Sequence, residues 1–203
     1  MSFRVLLLCG SLQRISANRA ALDVARAHML RHDGVSVHEP DLIGDIPMLN
    51  PDRQDDPGAA VLALRDQVAR SNGLLIACPE YAGALAGGLK NALDWLVGSG
   101  ELYSKPAAVL SAGTSGGTYA RQQLIQTLTW QGAHVVAQLG IAAPKSKSDS
   151  AGRFTDADTI SAIEHVAQRL LDTATMSNEQ RLAAVEEVTT AAGIEPGHIA
   201  PVV

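Results

Sequence analysis

Short, nearly continuous apolar runs alternate along this chain with longer stretches in which apolar residues recur every three or four positions. The runs at 3–9, 35–38, 73–78, 105–111 and 133–139 read as strands, the second of them weak, and 73–78 has the character of a parallel strand covered on both faces. Helical stripes separate them: Leu22, Ala25 and Met29; Val61, Leu64 and Val68; Leu89, Leu93 and Leu96; Leu124 and Leu128; Ile160, Ile163, Ala167 and Leu170. Asp56 with Pro57 reads as the start of the second helix, residues 155–158 as the capped start of the fifth, and Gly34, Gly98 and Gly132 as stops. Ser177 and Gln180 have capping-box spacing, so 178–192 is a further helix ended by Gly193, and 196–203 is expected to fray.

Five strands alternating with helices imply an α/β fold: a doubly wound, five-stranded parallel sheet with right-handed crossovers and helices on both faces. The common order for such a sheet is 2-1-3-4-5, which places strands 1, 3 and 4 side by side. Each of these three is followed by a polar or glycine-rich loop and then a helix: 10–18, 79–88 and 112–117. The order therefore predicts that the three loops converge at the carboxyl edge of the sheet. Ser11, Ser16 and Asn18 stand where a helix N-terminus offers free N–H donors, a combination suited to phosphate. Residues 1–175 are expected to form one domain, with 176–203 as a C-terminal helical extension and tail.

Composition narrows the reading. The 203 residues are 46% hydrophobic, enough for one sizeable core, and the longest early apolar run, residues 5–9, is far too short to span a bilayer. These features predict a cytoplasmic protein. A net charge of −5 without dense Lys/Arg runs argues against nucleic-acid or anionic-membrane partners. Six histidines without ligand spacing give no metal site. Two cysteines make no disulfide framework; Cys9 and Cys78 read as buried strand ends, with a redox pair on adjacent strands as the alternative.

Three motifs in order, Gly10-Ser11-Leu12 with Ser16 and Asn18, Pro79-Glu80-Tyr81 through Leu89-Lys90-Asn91 to Asp94-Trp95, and Ser111 to Gly117, resemble the NADPH-dependent FMN reductase family and its quinone, chromate and azo reductase relatives. The resemblance extends to Ile46-Pro47, Lys105-Pro106 and Gly152-Arg153-Phe154-Thr155-Asp156, so it covers roughly residues 3–172. It implies a flavodoxin-like fold, FMN as cofactor, NADPH or NADH as donor, and a flavin or quinone as acceptor. By the resemblance, Ser11, Ser16 and Asn18 hold the FMN phosphate, Pro79, Glu80, Tyr81 and Gly83 flank the ring, and Ser115 and Gly116 reach its pyrimidine side. The flavin then carries the chemistry and no side-chain acid or base is required. A homodimer or homotetramer is implied as well, with Trp95 and Leu96 either at its interface or in the core, and Trp130 on the same face.

The chain departs from the family pattern in the binding loops. Gln13 stands where the family usually has arginine, with Arg14 one position later, and Ala82, Ala84 and Ala86 replace the usual Asn, Ser and Pro. Lost polar contacts predict weaker FMN binding than is typical, by roughly a few kcal/mol. Two other readings stand beside this one. Gly113-Thr114-Ser115-Gly116-Gly117 fits the nucleophile elbow of a serine hydrolase, with Asp156 or Asp158 and His165 in the right order. A non-enzymatic flavin-binding electron carrier is the other.

Overall fold

A computed structural model describes residues 2–202. In chain order the elements are β1 (Phe3–Cys9), α1 (Ala17–Met29), β2 (Val35–His38), α2 (Ala59–Arg70), β3 (Gly73–Ala77), β4 (Glu80–Tyr81), β5 (Ala84–Leu85), α3 (Gly87–Asp94), β6 (Pro106–Gly113), α4 (Thr118–Trp130), β7 (His134–Ala142), α5 (Ala157–Asp172) and α6 (Asn178–Ala191). The main sheet is parallel with order β2-β1-β3-β6-β7, the expected 2-1-3-4-5, and β4-β5 is a separate two-stranded hairpin. Cys9 pairs with Ala77, Ala77 with Leu110 and Leu110 with Leu139, so the loops that follow these strands leave from one edge.

The strands are buried on both faces, as parallel strands beneath crossover helices must be. Leu6, Leu8, Leu74, Ile76 and Val109 meet α2, α3 and α4 on one side, while Val5, Leu7, Leu75, Ala108 and Leu110 meet α1 and α5 on the other. Helix α6 contributes to both cores, Ala184 and Val185 to one and Val188 to the other, and so covers the edge strand β7. Cys9 and Cys78 belong to opposite cores, which sets the redox pair aside. Burial raises both thiols, that of Cys78 to about 12, and keeps them neutral.

Several boundaries differ from the sequence reading. Helix α2 starts at Ala59 after Gly58 at φ +88°, not at Pro57: the positive φ turns the chain there and Asp56 caps nothing in the helix. Helix α3 ends at Asp94, so Leu96 follows it in a turn and Gly98 lies beyond its cap. Strand β7 runs on to Ala142, because Gly113 and Ala142 still pair beyond the expected end at 139. Trp95 and Leu96 are core residues, and the Trp95 indole N–H donates to the Pro47 carbonyl at 2.7 Å. Asn91 also ties α3 to the connection between β2 and α2, donating to the Ile46 and Pro47 carbonyls and accepting from the Leu49 N–H. Trp130 is 61% exposed and borders one surface hollow with Leu96 and Val97. The described part of the tail does not fray: His198 stacks on Trp130 at 4.4 Å, and His134 Nε2 bonds the Ala200 carbonyl at 2.7 Å. Val203 lies outside the described residues.

Candidate functional site

The carboxyl edge holds a cavity of about 460 Å³, walled by four loops. From the β1–α1 loop and the first turn of α1 come Ser11, Gln13, Ile15, Ala17 and Asn18; from the segment that follows β3, Pro79 with Glu80 and Tyr81 of β4; from the end of β6 Ala112, Gly113 and Thr114. The fourth wall, Pro144, Lys145, Ser148, Asp149, Ser150 and Gly152, belongs to the β7–α5 loop. Of the expected binding residues, Ser11, Gln13, Asn18, Pro79, Glu80 and Tyr81 line this cavity.

Behind the first three walls, polar side chains fix the backbone. The Asn18 amide lies 3% exposed and bonds Ala112 at both ends, donating to its carbonyl at 3.0 Å and accepting from its N–H at 2.9 Å. Ser111 Oγ donates to the Cys78 carbonyl at 2.6 Å. Glu80 Oε2 accepts from the N–H groups of Tyr119 at 2.8 Å and Ala120 at 3.1 Å, capping α4 from a different loop because its own cap, Gly117, has no side chain. Gly117 sits at φ +62° against Ser111, where a Cβ would overlap the hydroxyl. A Cβ on Gly10 would stand 2.8 Å from Leu89. At Gly117 both the close approach and the positive φ require glycine, while at Gly10 a side chain would press on Leu89 of α3.

The start of α1 is arranged differently. Ser16 is its N-cap, in extended backbone, yet its side chain makes no capping hydrogen bond, and no acidic residue occupies the first turn. The first N–H groups of α1 are thus left for an anion, beside Ser11, whose hydroxyl accepts from the Gln13 N–H at 3.3 Å. Cavity size, backbone-lined walls and an anion-ready helix end fit a flavin mononucleotide, and the residues present would hold it by Ser11 and the α1 amides at the phosphate and by Pro79, Tyr81 and Thr114 along the ring.

The remaining expected residues stand aside. Arg14 lines a neighbouring cavity with Arg19, Asp41 and Asp45, which meets the first at Gln13. Ala82 and Gly83 form the exposed turn of the β4–β5 hairpin at φ +52° and +71°, and Gly116 is buried against Gly140. Ser115 is exposed and forms an antiparallel bridge with Ala142. No serine triad is assembled: the Asp156 carboxylate accepts from Thr159 N–H and Oγ1 as the α5 cap, and His165 borders a separate cavity between β7, α5 and α6.

Residues 3–147 match the profile of the family described as NADPH-dependent FMN reductase. The chain belongs to that family. It is 36% identical over 175 residues to an NAD(P)H-dependent FMN reductase of Pseudomonas aeruginosa, covering 82% of this chain and 92% of that one. It is 35% identical over 143 residues to a quinone reductase of Escherichia coli, covering 66% and 73%. Among solved structures it resembles FerB, a flavoenzyme NAD(P)H:acceptor oxidoreductase of Paracoccus denitrificans, with a TM-score of 0.69, 27% identity, and 84% and 96% of the two chains covered. As a member of the FMN reductase family the protein is an NAD(P)H-dependent oxidoreductase that works through FMN. That sets aside both the hydrolase and the simple carrier. Among the described residues no helix is long and apolar enough to cross a membrane.

The sequence reading did not include Ile15, Ala17, Ala112, Gly113, Thr114 or the fourth wall among the binding residues. A signal for that wall existed in Gly152-Arg153-Phe154, where Gly152 takes φ +81° and Phe154 is buried. A run of serines and lysines, however, gives no periodicity to read.

Proposed function

We propose that this reductase binds FMN in the four-loop cavity and transfers hydride from NAD(P)H to a free flavin, a quinone or another small acceptor. The observation that carries the proposal is the start of α1, uncapped and free of acid, beside a cavity whose first three walls are fixed by the side chains of Asn18, Ser111 and Glu80. Bound flavin supplies hydride transfer through N5. The chain orients the ring with backbone groups, and Tyr81, 58% exposed, borders the open side on which donor and acceptor must alternate. Ser11, Ser16 and Asn18 shape the phosphate end, Asn18 by holding the loop to Ala112 rather than by reaching a ligand.

The alanines at 82, 84 and 86 offer the ring no side-chain hydrogen bonds, and FMN is expected to dissociate at micromolar concentrations or above. Homodimerisation or homotetramerisation in the cytoplasm is part of the same proposal. Val97, Tyr103 and Trp130, each at least half exposed, border one surface hollow and are the apolar groups available for self-association. Titrating the chain with FMN by flavin fluorescence, then adding NADPH anaerobically, tests the reading. Saturable binding followed by bleaching near 450 nm is expected. Absence of FMN binding would overturn it.

A further inference from the structure

We propose that Lys145 is the cation that holds the phosphate monoester of a cofactor in the four-loop cavity, taking the part that an arginine at position 13 would otherwise play. The proposal rests on the flavin reading above. Three charged side chains line the cavity: Glu80, Asp149 and Lys145. Glu80 is engaged by the amides of Tyr119 and Ala120. Asp149 is engaged by the Arg153 guanidinium, with Nη2 at 2.8 Å, and by the N–H groups of Ala151 and Arg153. Lys145 has no ion pair among the described residues. Both carboxylates are therefore engaged within the protein, and among the described residues Lys145 is the charged side chain of the cavity left without an ion pair or hydrogen-bond partner.

The loop that carries this exposed lysine is fixed by its own bonds. Ala143 at φ +48° turns the chain at the end of β7, and Pro144 opens a short 3₁₀ turn that carries Lys145. Ser146 Oγ donates to the Ala143 carbonyl and Ser148 Oγ to the Pro144 carbonyl, both at 2.9 Å, and a bridge from Ser148 to buried Phe154 closes the loop. This wall abuts the loop at the start of α1: a Cβ on Gly152 would stand 3.1 Å from Ile15. Lys145 thus shares a cavity with the uncapped helix end, whereas Arg14 opens on the neighbouring cavity and Arg19 is paired with Glu39. Lysine serves such a site as a mobile point charge, without the fixed fork of arginine. A phosphate monoester near neutral pH carries close to two negative charges.

Two cofactor groups share this chemistry, the flavin 5′-phosphate and the dinucleotide 2′-phosphate, and Lys145→Gln distinguishes them. If the lysine holds the flavin phosphate, the FMN dissociation constant rises about 10- to 100-fold, riboflavin binding is unchanged, and Lys145→Arg restores most of the loss. If it holds the dinucleotide phosphate, FMN binding is unchanged and the KM for NADPH rises by a similar factor while that for NADH does not. Equal weakening of FMN and riboflavin, or no change in any of these quantities, would overturn the proposal. Failure of the unsubstituted chain to bind either flavin would instead overturn the flavin reading, and this assignment with it.

Discussion

The walls that open the cavity from β1, β3 and β6 differ in construction from the wall after β7. In the first group, side chains lie behind the surface and fix backbone: Asn18 on Ala112, Ser111 on Cys78, Glu80 on the start of α4. In the second, Asp149, Arg153, Ser146 and Ser148 bond their own loop near solvent, and the uncompensated charge of Lys145 projects from it. Rigid backbone suits a flat ring that every acceptor must meet in the same place. A self-contained surface loop suits charge selection, because it can change composition without disturbing the sheet edge.

If the first group is fixed from behind, the largest losses of stability belong there. Gly117→Ala drives a Cβ into Ser111 and keeps a left-handed φ, so a loss of about 3 kcal/mol is expected from overpacking and backbone strain together. A midpoint in urea equal to that of the parent would show that this wall yields easily, and the contrast with the fourth wall would collapse. Asn18→Ala leaves the buried N–H and carbonyl of Ala112 without their partner and should cost about 2 kcal/mol or more. Thermal unfolding should show a drop of roughly 4 to 8 °C. FMN and riboflavin should weaken together in this variant, because the lost contact positions the loop and touches no phosphate.

The same division explains what was legible in the sequence. The strands, the helices that cover both faces and the capping box at Ser177 followed from apolar spacing and short-range caps, which are local signals, whereas the sheet order followed from the common arrangement of such folds. Ser11, Pro79 and Tyr81 could be placed at the cavity because topology brings strand ends together. The partners of Asn18 and Glu80 could not, because their bonds join residues 94 and about 40 positions apart. Arg14 could not either: one position along a loop moved it from the first cavity to its neighbour. The tail read as frayed because nothing in 196–203 announces that His198 will meet Trp130 or that Ala200 will meet His134.

A smaller effect sharpens the contrast at the rim. Tyr81-Ala82-Gly83-Ala84 is a hairpin turn with positive φ at both central residues, the geometry that favours Asn-Gly over Ala-Gly. Ala82→Asn is expected to gain about 1 kcal/mol, read as a rise of about 2 to 4 °C in melting temperature. A fall in melting temperature would mean that Ala82 is held by something other than its own turn.

The smallest effect concerns the fourth wall alone. Hydrogen bonds from the Arg153 N–H and guanidinium, assisted by the Ala151 N–H, hold the Asp149 carboxyl below its ordinary value of 3.8. A carboxyl lowered in this way supports the folded loop at pH above its unfolded value, and that support is lost as pH falls through the lower folded value. The amide resonances of Ala151 and Arg153 should therefore shift together with a midpoint below 3.8. Asp149→Asn should abolish that transition and leave the urea midpoint of the fold close to that of the parent, because these bonds stay within one loop. A large fall in the urea midpoint of this variant would mean that the fourth wall is not self-contained, and that charge there cannot be altered without loosening the backbone of the others.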